Sequence, residues 1–230
     1  MKPLVLLDDI HLTLTGASGP VKILRGVDLR LSPRETLSVV GPSGSGKTTL
    51  LMVISGLEKP TSGRVLVAGR DLGPLDEDEL ARVRREHIGI VFQSFHLAPT
   101  LTALENVALP LEFVGAKDAL ARAAESLEAV GMGGRVKHYP AQLSGGEQQR
   151  AAIARAFVAR PSILLADEPT GNLDAETGGR VIDLLFSLQK RYGTTMIFIT
   201  HDPSVTPRCD RHALMRDGVL RPAGGEEPPP

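Results

Sequence analysis

Apolar and polar residues alternate along the first forty positions. Val27, Leu29 and Leu31 keep strict period two, with Asp28 and Arg30 between them, the pattern of a half-buried strand. Residues 4–14 alternate more loosely and predict another strand, with Gly16-Ala17-Ser18-Gly19-Pro20 as the turn that joins the two. After Pro33-Arg34-Glu35, the stretch Thr36–Val40 predicts a third strand, and Thr49–Ile54 can continue as a helix. Lys59-Pro60-Thr61-Ser62-Gly63 is turn chemistry, and Arg64–Ala68 predicts a further short strand. The opening is therefore β-rich with one helix.

Asp76–His87 is charged, with Leu75, Leu80 and Val83 as its apolar members, which predicts a surface helix; Ile88–Phe92 is a fully apolar strand ending at Gln93. From Ser94 to Val158 the pattern becomes helical, with Leu120, Ala124, Leu127 and Val130 at helical spacing. A further helix is predicted from Ser144 through Ala159, with Pro161 just past its end. Strand, helix and strand then follow at Ile163–Ala166, Ala175–Tyr192 and Met196–Ile199. A short helix or turn near Ser204–Cys209, a strand at Arg211–Met215 and a turn at Asp217-Gly218 come last, and the proline-rich 223–230 predicts a disordered tail.

Composition narrows the function classes. The 230 residues suit one α/β domain with a subdomain. A net charge of −1 leaves no basic excess to neutralise a phosphate backbone, so nucleic acid is not an expected partner. The single cysteine excludes an internal disulfide. No run approaches the roughly 20 apolar residues of a membrane span, which predicts a soluble, cytoplasmic chain.

Chemistry gathers at strand ends. Gly41-Pro42-Ser43-Gly44-Ser45-Gly46-Lys47-Thr48-Thr49 follows the strand at Val40 and matches the phosphate-binding pattern G-x-x-x-x-G-K-S/T. Strand, glycine loop and helix bring bare N–H groups and a helix N-terminus to an anion. Lys47 adds a point charge at the outer phosphates, and the Thr48 hydroxyl suits a magnesium ion. Three other apolar strands also end in polar groups: Gln93 after Phe92, Asp167-Glu168 after Ala166, and His201 after Thr200. Ligands of open α/β sheets bind beyond the carboxyl ends of parallel strands. Asp167 suits the support of magnesium, and Glu168 suits the polarisation of a water for in-line attack. Alone, each of these polar residues reads equally well as a cap, a turn or a core group.

Leu143-Ser144-Gly145-Gly146-Glu147-Gln148-Gln149-Arg150 decides the class. Ser144 and Glu147 form a capping box, which leaves two glycines in the first helical turn unexplained. Each costs about 1 kcal/mol against alanine there. Glycines at that end let an anion approach bare N–H groups, and a second phosphate site suggests a composite site shared by two subunits.

With these motifs in this order, residues 5–220 resemble the nucleotide-binding subunit of an ATP-binding cassette (ABC) transporter. The resemblance implies a P-loop NTPase (RecA-like) α/β core at about 1–93 and 161–222, with an N-terminal antiparallel β subdomain. An α-helical signature subdomain would be inserted at about 94–160. By the same resemblance Gly41–Thr48 is the Walker A loop, Gln93 the Q-loop, and Leu143–Gln148 the signature. Ile163–Asp167 is Walker B, Glu168 the catalytic carboxylate, Asn172-Leu173-Asp174 the D-loop and His201 the switch histidine. The implied activity is ATP hydrolysis with Mg2+ held by Thr48, Gln93 and Asp167.

Arg84-Arg85-Glu86-His87, PAQLSGGEQQR and ADEPTGNLD are similar to ATPases of the lipoprotein-releasing and macrolide-exporting type. That likeness implies a second copy as partner, two ATPs in the sandwich, and a transmembrane permease that places the subunit on the inner face of the cytoplasmic membrane. The substrate class implied is lipophilic or lipoprotein-like. An alternative keeps the ATPase as a mechanical or regulatory switch on a permease-like protein that transports nothing. An ABC-type ATPase acting on translation or DNA is a third reading, which lacks its usual tandem cassette or basic insertion here.

One departure stands out. The family's first strand usually supplies an aromatic ring for adenine, yet no Phe, Tyr or Trp precedes Phe92. Leu12-Thr13-Leu14-Thr15 offers aliphatic contact instead. Phe95, Leu97, Leu101 and Leu104 are candidates for an apolar groove that grips a coupling helix, or else for core of the helical subdomain.

Overall fold

The computed structural model describes residues 2–16 and 19–222. Ala17 and Ser18 of the expected turn, and the expected disordered tail, lie outside the described residues. In chain order the elements are β1 (Val5–Gly16), β2 (Gly19–Leu31), β3 (Thr36–Val40), α1 (Lys47–Ile54), β4 (Ser62–Val67), β5 (Arg70–Asp71), α2 (Glu77–His87) and β6 (Ile88–Val91). After them come α3 (Ala103–Glu112), α4 (Ala119–Ala129), α5 (Gly145–Phe157), β7 (Ile163–Asp167), α6 (Ala175–Tyr192), β8 (Thr195–Ile199), β9 (Arg211–Arg216) and β10 (Val219–Pro222). Contacts divide the chain into two compact units, one ending at Arg84 and resuming at Thr195, the other Arg85–Thr194.

In the first unit, β2, β1, β4 and β5 form an antiparallel sheet in that order. On β2, Val27, Leu29 and Leu31 are buried while Asp28 and Arg30 are exposed, as alternation requires. The loose pattern of β1 has a local cause. Val5 and Leu7 are buried, the register then shifts, and Ile10 and Leu12 are buried in the opposite phase. Asp9 sits at φ 47 in the step, so a bulge absorbs one residue and returns the apolar side chains to the core.

The same unit holds β10, β9, β3 and β8 in sheet order, with β3 parallel to both β8 and β9. Leu37, Ser38 and Val39 of β3 and all five residues of β8 are buried. Such continuous burial belongs to parallel strands covered on both faces. Leu50, Leu51, Val53 and Ile54 of α1 are buried as well.

In the second unit, β6 and β7 pair in parallel and α3, α4, α5 and α6 supply the helical mass. Helix α6 starts where Asp174 accepts from the Thr177 N–H at 2.9 Å and stops at Gly193, φ 66. A side-chain cap and a left-handed glycine explain why both of its ends were legible. Helix α4 forms where the helical spacing predicts one, and the structure adds which face packs inward. Its buried face is Ala119, Ala123 and Leu127, continued by Val130, and Leu120 is 50% exposed. Both stripes satisfy helical spacing, and the one carrying small alanines is the one packed inward.

Among the described residues no helix is long and apolar enough to cross a membrane.

Candidate functional site

In the first unit the loop between β3 and α1 is built on close backbone approach. Gly41 has φ 152, and a Cβ there would lie 2.0 Å from the Met215 carbonyl oxygen, so only glycine fits. Gly46, φ 100, opens α1 with no side-chain cap, which leaves the first-turn N–H groups to a ligand. Lys47 is only 7% exposed, and its Nζ donates to the carbonyls of Gly41 and Pro42 at 2.8 Å each. The lysine thus ties the loop from within, and among the described residues it has no carboxylate partner. Ser45 Oγ is buried without a hydrogen-bond partner. A buried cation, an orphaned hydroxyl and an uncapped helix end fit the phosphates of a nucleotide.

Thr48 is exposed and Thr49 half-buried beside Lys47. The β3–β8 register pairs Val39 with Ile199, so Gly41 and His201 stand at one level, each two residues past that pair. His201 is exposed, ahead of a turn in which the Asp202 N–H donates to Thr200 Oγ1 at 2.9 Å.

The second unit repeats the arrangement. Val91 of β6 pairs with Ala166 of β7, so Gln93 and Glu168 stand level beyond the two strands, with Asp167 one residue before. Glu168 has φ 45, and its carbonyl accepts from the Gly171 N–H at 3.0 Å. Asn172 then donates to the Gln93 carbonyl at 2.9 Å. The structure therefore brings Gln93, Asp167 and Glu168 together, and separately brings the glycine loop and His201 together.

At the start of α5, Ser144 Oγ accepts from the Glu147 N–H at 3.3 Å while Glu147 accepts from the Ser144 N–H at 2.8 Å. The Ser144 N–H, more than the Arg135 guanidinium at 2.9 Å, holds the Glu147 carboxyl below its ordinary range. The capping box is real, and Gly146 answers to space, whereas a Cβ on Gly145 would make only ordinary contact with Leu173 at 3.5 Å. A Cβ on Gly146 would meet Thr177 Cγ2 at 2.5 Å. An open polar cleft of about 450 Å³ lies over this end, lined by Ser144, Gly145, Gly146, Asn172 and Thr177. Arg150 and Arg180 also line it. Arg150 closes the motif that begins at Leu143, with no role of its own read from sequence; for Arg180 the signal is the Glu176–Arg180 spacing, a pair 3.2 Å apart.

A family model described as ABC transporter matches residues 24–171. The chain belongs to the ABC transporter family. It is an ATP-hydrolysing cassette with a P-loop α/β core. It is 52% identical over 203 residues to an uncharacterized ABC transporter ATP-binding protein, YbbA, of Escherichia coli (strain K12), covering 87% of this chain and 89% of that one. The lipoprotein-releasing system ATP-binding protein LolD of Alcanivorax borkumensis is 47% identical over 203 residues, covering 87% and 89%. The macrolide export ATP-binding/permease protein MacB of Shigella flexneri is 44% identical over 240 aligned positions, which take in 99% of this chain and 37% of that longer protein. Among solved structures, the dimeric post-hydrolysis cassette MJ0796 bound to ADP and Pi matches with a TM-score of 0.87 and 40% identity, covering 96% and 100% of the two chains.

Proposed function

We propose that this ATPase powers a separate membrane permease that exports or extracts a lipophilic or lipoprotein-type substrate. The observation that carries the reading is a pair of glycine-bearing helix starts in one chain, α1 behind Gly41–Gly46 and α5 opening on Gly145-Gly146. One nucleotide needs only the first. The second suits the nucleotide of another copy, so the working form is a dimer with Ser144, Gly145 and Gly146 of each copy facing the phosphate loop of the other.

In this scheme Gly41 to Thr49 cradle the phosphates, and Lys47 turns from the Gly41 and Pro42 carbonyls to the outer phosphates. Thr48, Gln93 and Asp167 would hold Mg2+, which when bound neutralises charge on the phosphate oxygens. Glu168 orients and polarises the attacking water, and His201 contacts the terminal phosphate. Such catalysis is mostly positioning, so Glu168 does not need a pKa near neutrality.

Lys47→Ala is expected to abolish binding of a fluorescent ATP analogue. Glu168→Gln is expected to bind it normally, lose turnover and elute as a dimer with ATP. Normal hydrolysis by the Glu168 variant sinks the chemistry.

Phe95, Leu97, Leu101 and Leu104 are all half-buried, consistent with side chains shared between packing and a permease groove. The subunit then sits on the inner face of the cytoplasmic membrane through that partner. Purification of the Glu168→Gln protein from membranes with ATP should recover a polytopic permease; recovery of ribosomes or DNA would overturn the proposal. Transport and a switch without transport differ in whether reconstituted vesicles of that complex move lipid or lipoprotein.

A further inference from the structure

Gln149 is fully buried in the middle of α5, beside Ala151, Ala152 and Ile153 of the same helix. Its Nε2 donates to the Pro169 carbonyl at 2.6 Å. A carbonyl only accepts, so the nitrogen must face Pro169 and the oxygen must point away. That Oε1 has no hydrogen-bond partner. An amide held entirely out of water with its acceptor unmet weakens the fold. A leucine of similar volume would bring no such orphan.

The group that Gln149 holds explains its presence. Pro169 follows Glu168, whose φ of 45 is uncommon for a residue with a β-carbon. A residue before proline ordinarily sits in the extended region. The strained step is therefore held from both sides. Gly171 N–H secures the Glu168 carbonyl at 3.0 Å, and Gln149 secures the Pro169 carbonyl from 20 positions back in the chain.

We infer that Gln149 is a positioning residue that sets the aim of the Glu168 carboxylate by clamping the Glu168–Pro169 step. The inference rests on the reading of Glu168 as the group that orients the attacking water. It adds a consequence to that reading. Helix α5 presents Gly145 and Gly146 at its N-terminus and the Gln149 clamp one turn later. A shift of the glycine end on meeting the other copy's nucleotide is carried directly to the carboxylate.

The test is steady-state Mg-ATP hydrolysis by the full chain, comparing Gln149→Leu, Gln149→Glu and Glu168→Gln. The leucine variant should lose about ten- to a hundredfold in kcat, the scale of a small misplacement, with its KM for ATP within about twofold of the parent. The glutamate variant separates aiming from packing. Ionised, it has no proton for the Pro169 carbonyl; protonated, it has one, and burial raises its pKa. Its activity relative to the parent should climb as pH falls from about 8 to about 6, while the leucine ratio stays flat. A folded leucine variant with kcat within twofold of the parent overturns the inference. If the leucine variant does not fold, a flat pH ratio for the glutamate variant overturns it instead. An inactive Glu168→Gln beside an unimpaired Gln149→Leu removes only the role of Gln149, whereas an active Glu168→Gln removes both.

Discussion

The side-chain amide of Asn172 donates to the main-chain carbonyl of Gln93 at 2.9 Å, across 79 positions of sequence. Its neighbour Gly171 completes the contact, since a Cβ there would lie 2.8 Å from Gln93 Nε2 and 3.2 Å from its Cγ. Gln93 is thus fixed at its backbone by one residue and shaped at its side chain by the absence of another.

Gly171→Ala should leave the fold intact, because the Gln93 side chain is flexible enough to swing aside. The swing moves its carboxamide from the place proposed for Mg2+. We expect a melting temperature within a few degrees of the parent, a kcat lower by about tenfold, and a higher Mg2+ requirement. Metal titration of the ATPase rate checks this; an unchanged Mg2+ midpoint would show that Gln93 does not serve the metal.

What was legible in sequence was periodic or positional. Val27, Leu29 and Leu31 could be placed because each two-residue step returns to the same face, and the ends of α6 because Asp174 and Gly193 act locally. Strand ends were legible in the same way, since Gln93 and Glu168 each follow an apolar run and the register makes them level. The bulge at Asp9, the alanine face of α4 and the Gln149–Pro169 bond left no such trace. Each depends on what packs opposite: a register shift, a choice between two helical stripes, and a contact between distant segments. Spacing alone does not distinguish the stripe through Leu120 from the adjacent one through Ala119 and Ala123, which is the one buried.

Base recognition should be weak. Leu14 and Val21 pair across β1 and β2, and both are exposed, at 40% and 44%. They lie on the strand pair that reaches the loop, where a Cβ on Gly46 would be 3.1 Å from the Ile23 carbonyl. Aliphatic groups contact any base and forgo stacking, which is worth about 1–3 kcal/mol per base. Comparable kcat/KM for ATP and GTP is the expected outcome. Leu14→Tyr should then raise kcat/KM for ATP by a factor of about five to a hundred, the scale of one stacked base; strong ATP selectivity in the parent would refute the idea.

Cys209 gives the alkaline limb of stability a specific origin. Burial, assisted by the Asp210 charge and opposed by Thr36 and Arg208, pushes its thiol from 9.0 up to about 12. The folded state therefore holds this proton more tightly than the unfolded chain does. The contribution is complete below about pH 9 and is lost as pH rises toward the folded value. Urea midpoints for the parent and Cys209→Ala should differ by a constant amount from pH 6 to 8. Above pH 9 the parent should lose ground to the variant; parallel curves to pH 11 would contradict the assignment.

Asn106 is fully buried, and every one of its polar atoms is used. Its Oδ1 accepts from the Ala98 N–H at 2.7 Å, and its Nδ2 donates to the carbonyls of Ala98, Leu101 and Thr102 at 3.0 to 3.1 Å. One side chain thereby shapes the segment that carries Leu97 and Leu101, the proposed permease grip. Asn106→Leu strands one donor and loosens three acceptors, so a loss of about 3 kcal/mol is expected from the cost of unmet buried groups. Asn106→Asp keeps the acceptor but, when ionised, sets a carboxylate against three carbonyls. Protonation restores a donor, so burial and repulsion raise the folded pKa above that of the unfolded chain. The aspartate variant should therefore be more stable near pH 5 than near pH 8, and the leucine variant should follow the parent over that range. Urea midpoints at the two pH values decide it, and an aspartate variant with no pH trend of its own would show that this network does not govern the segment.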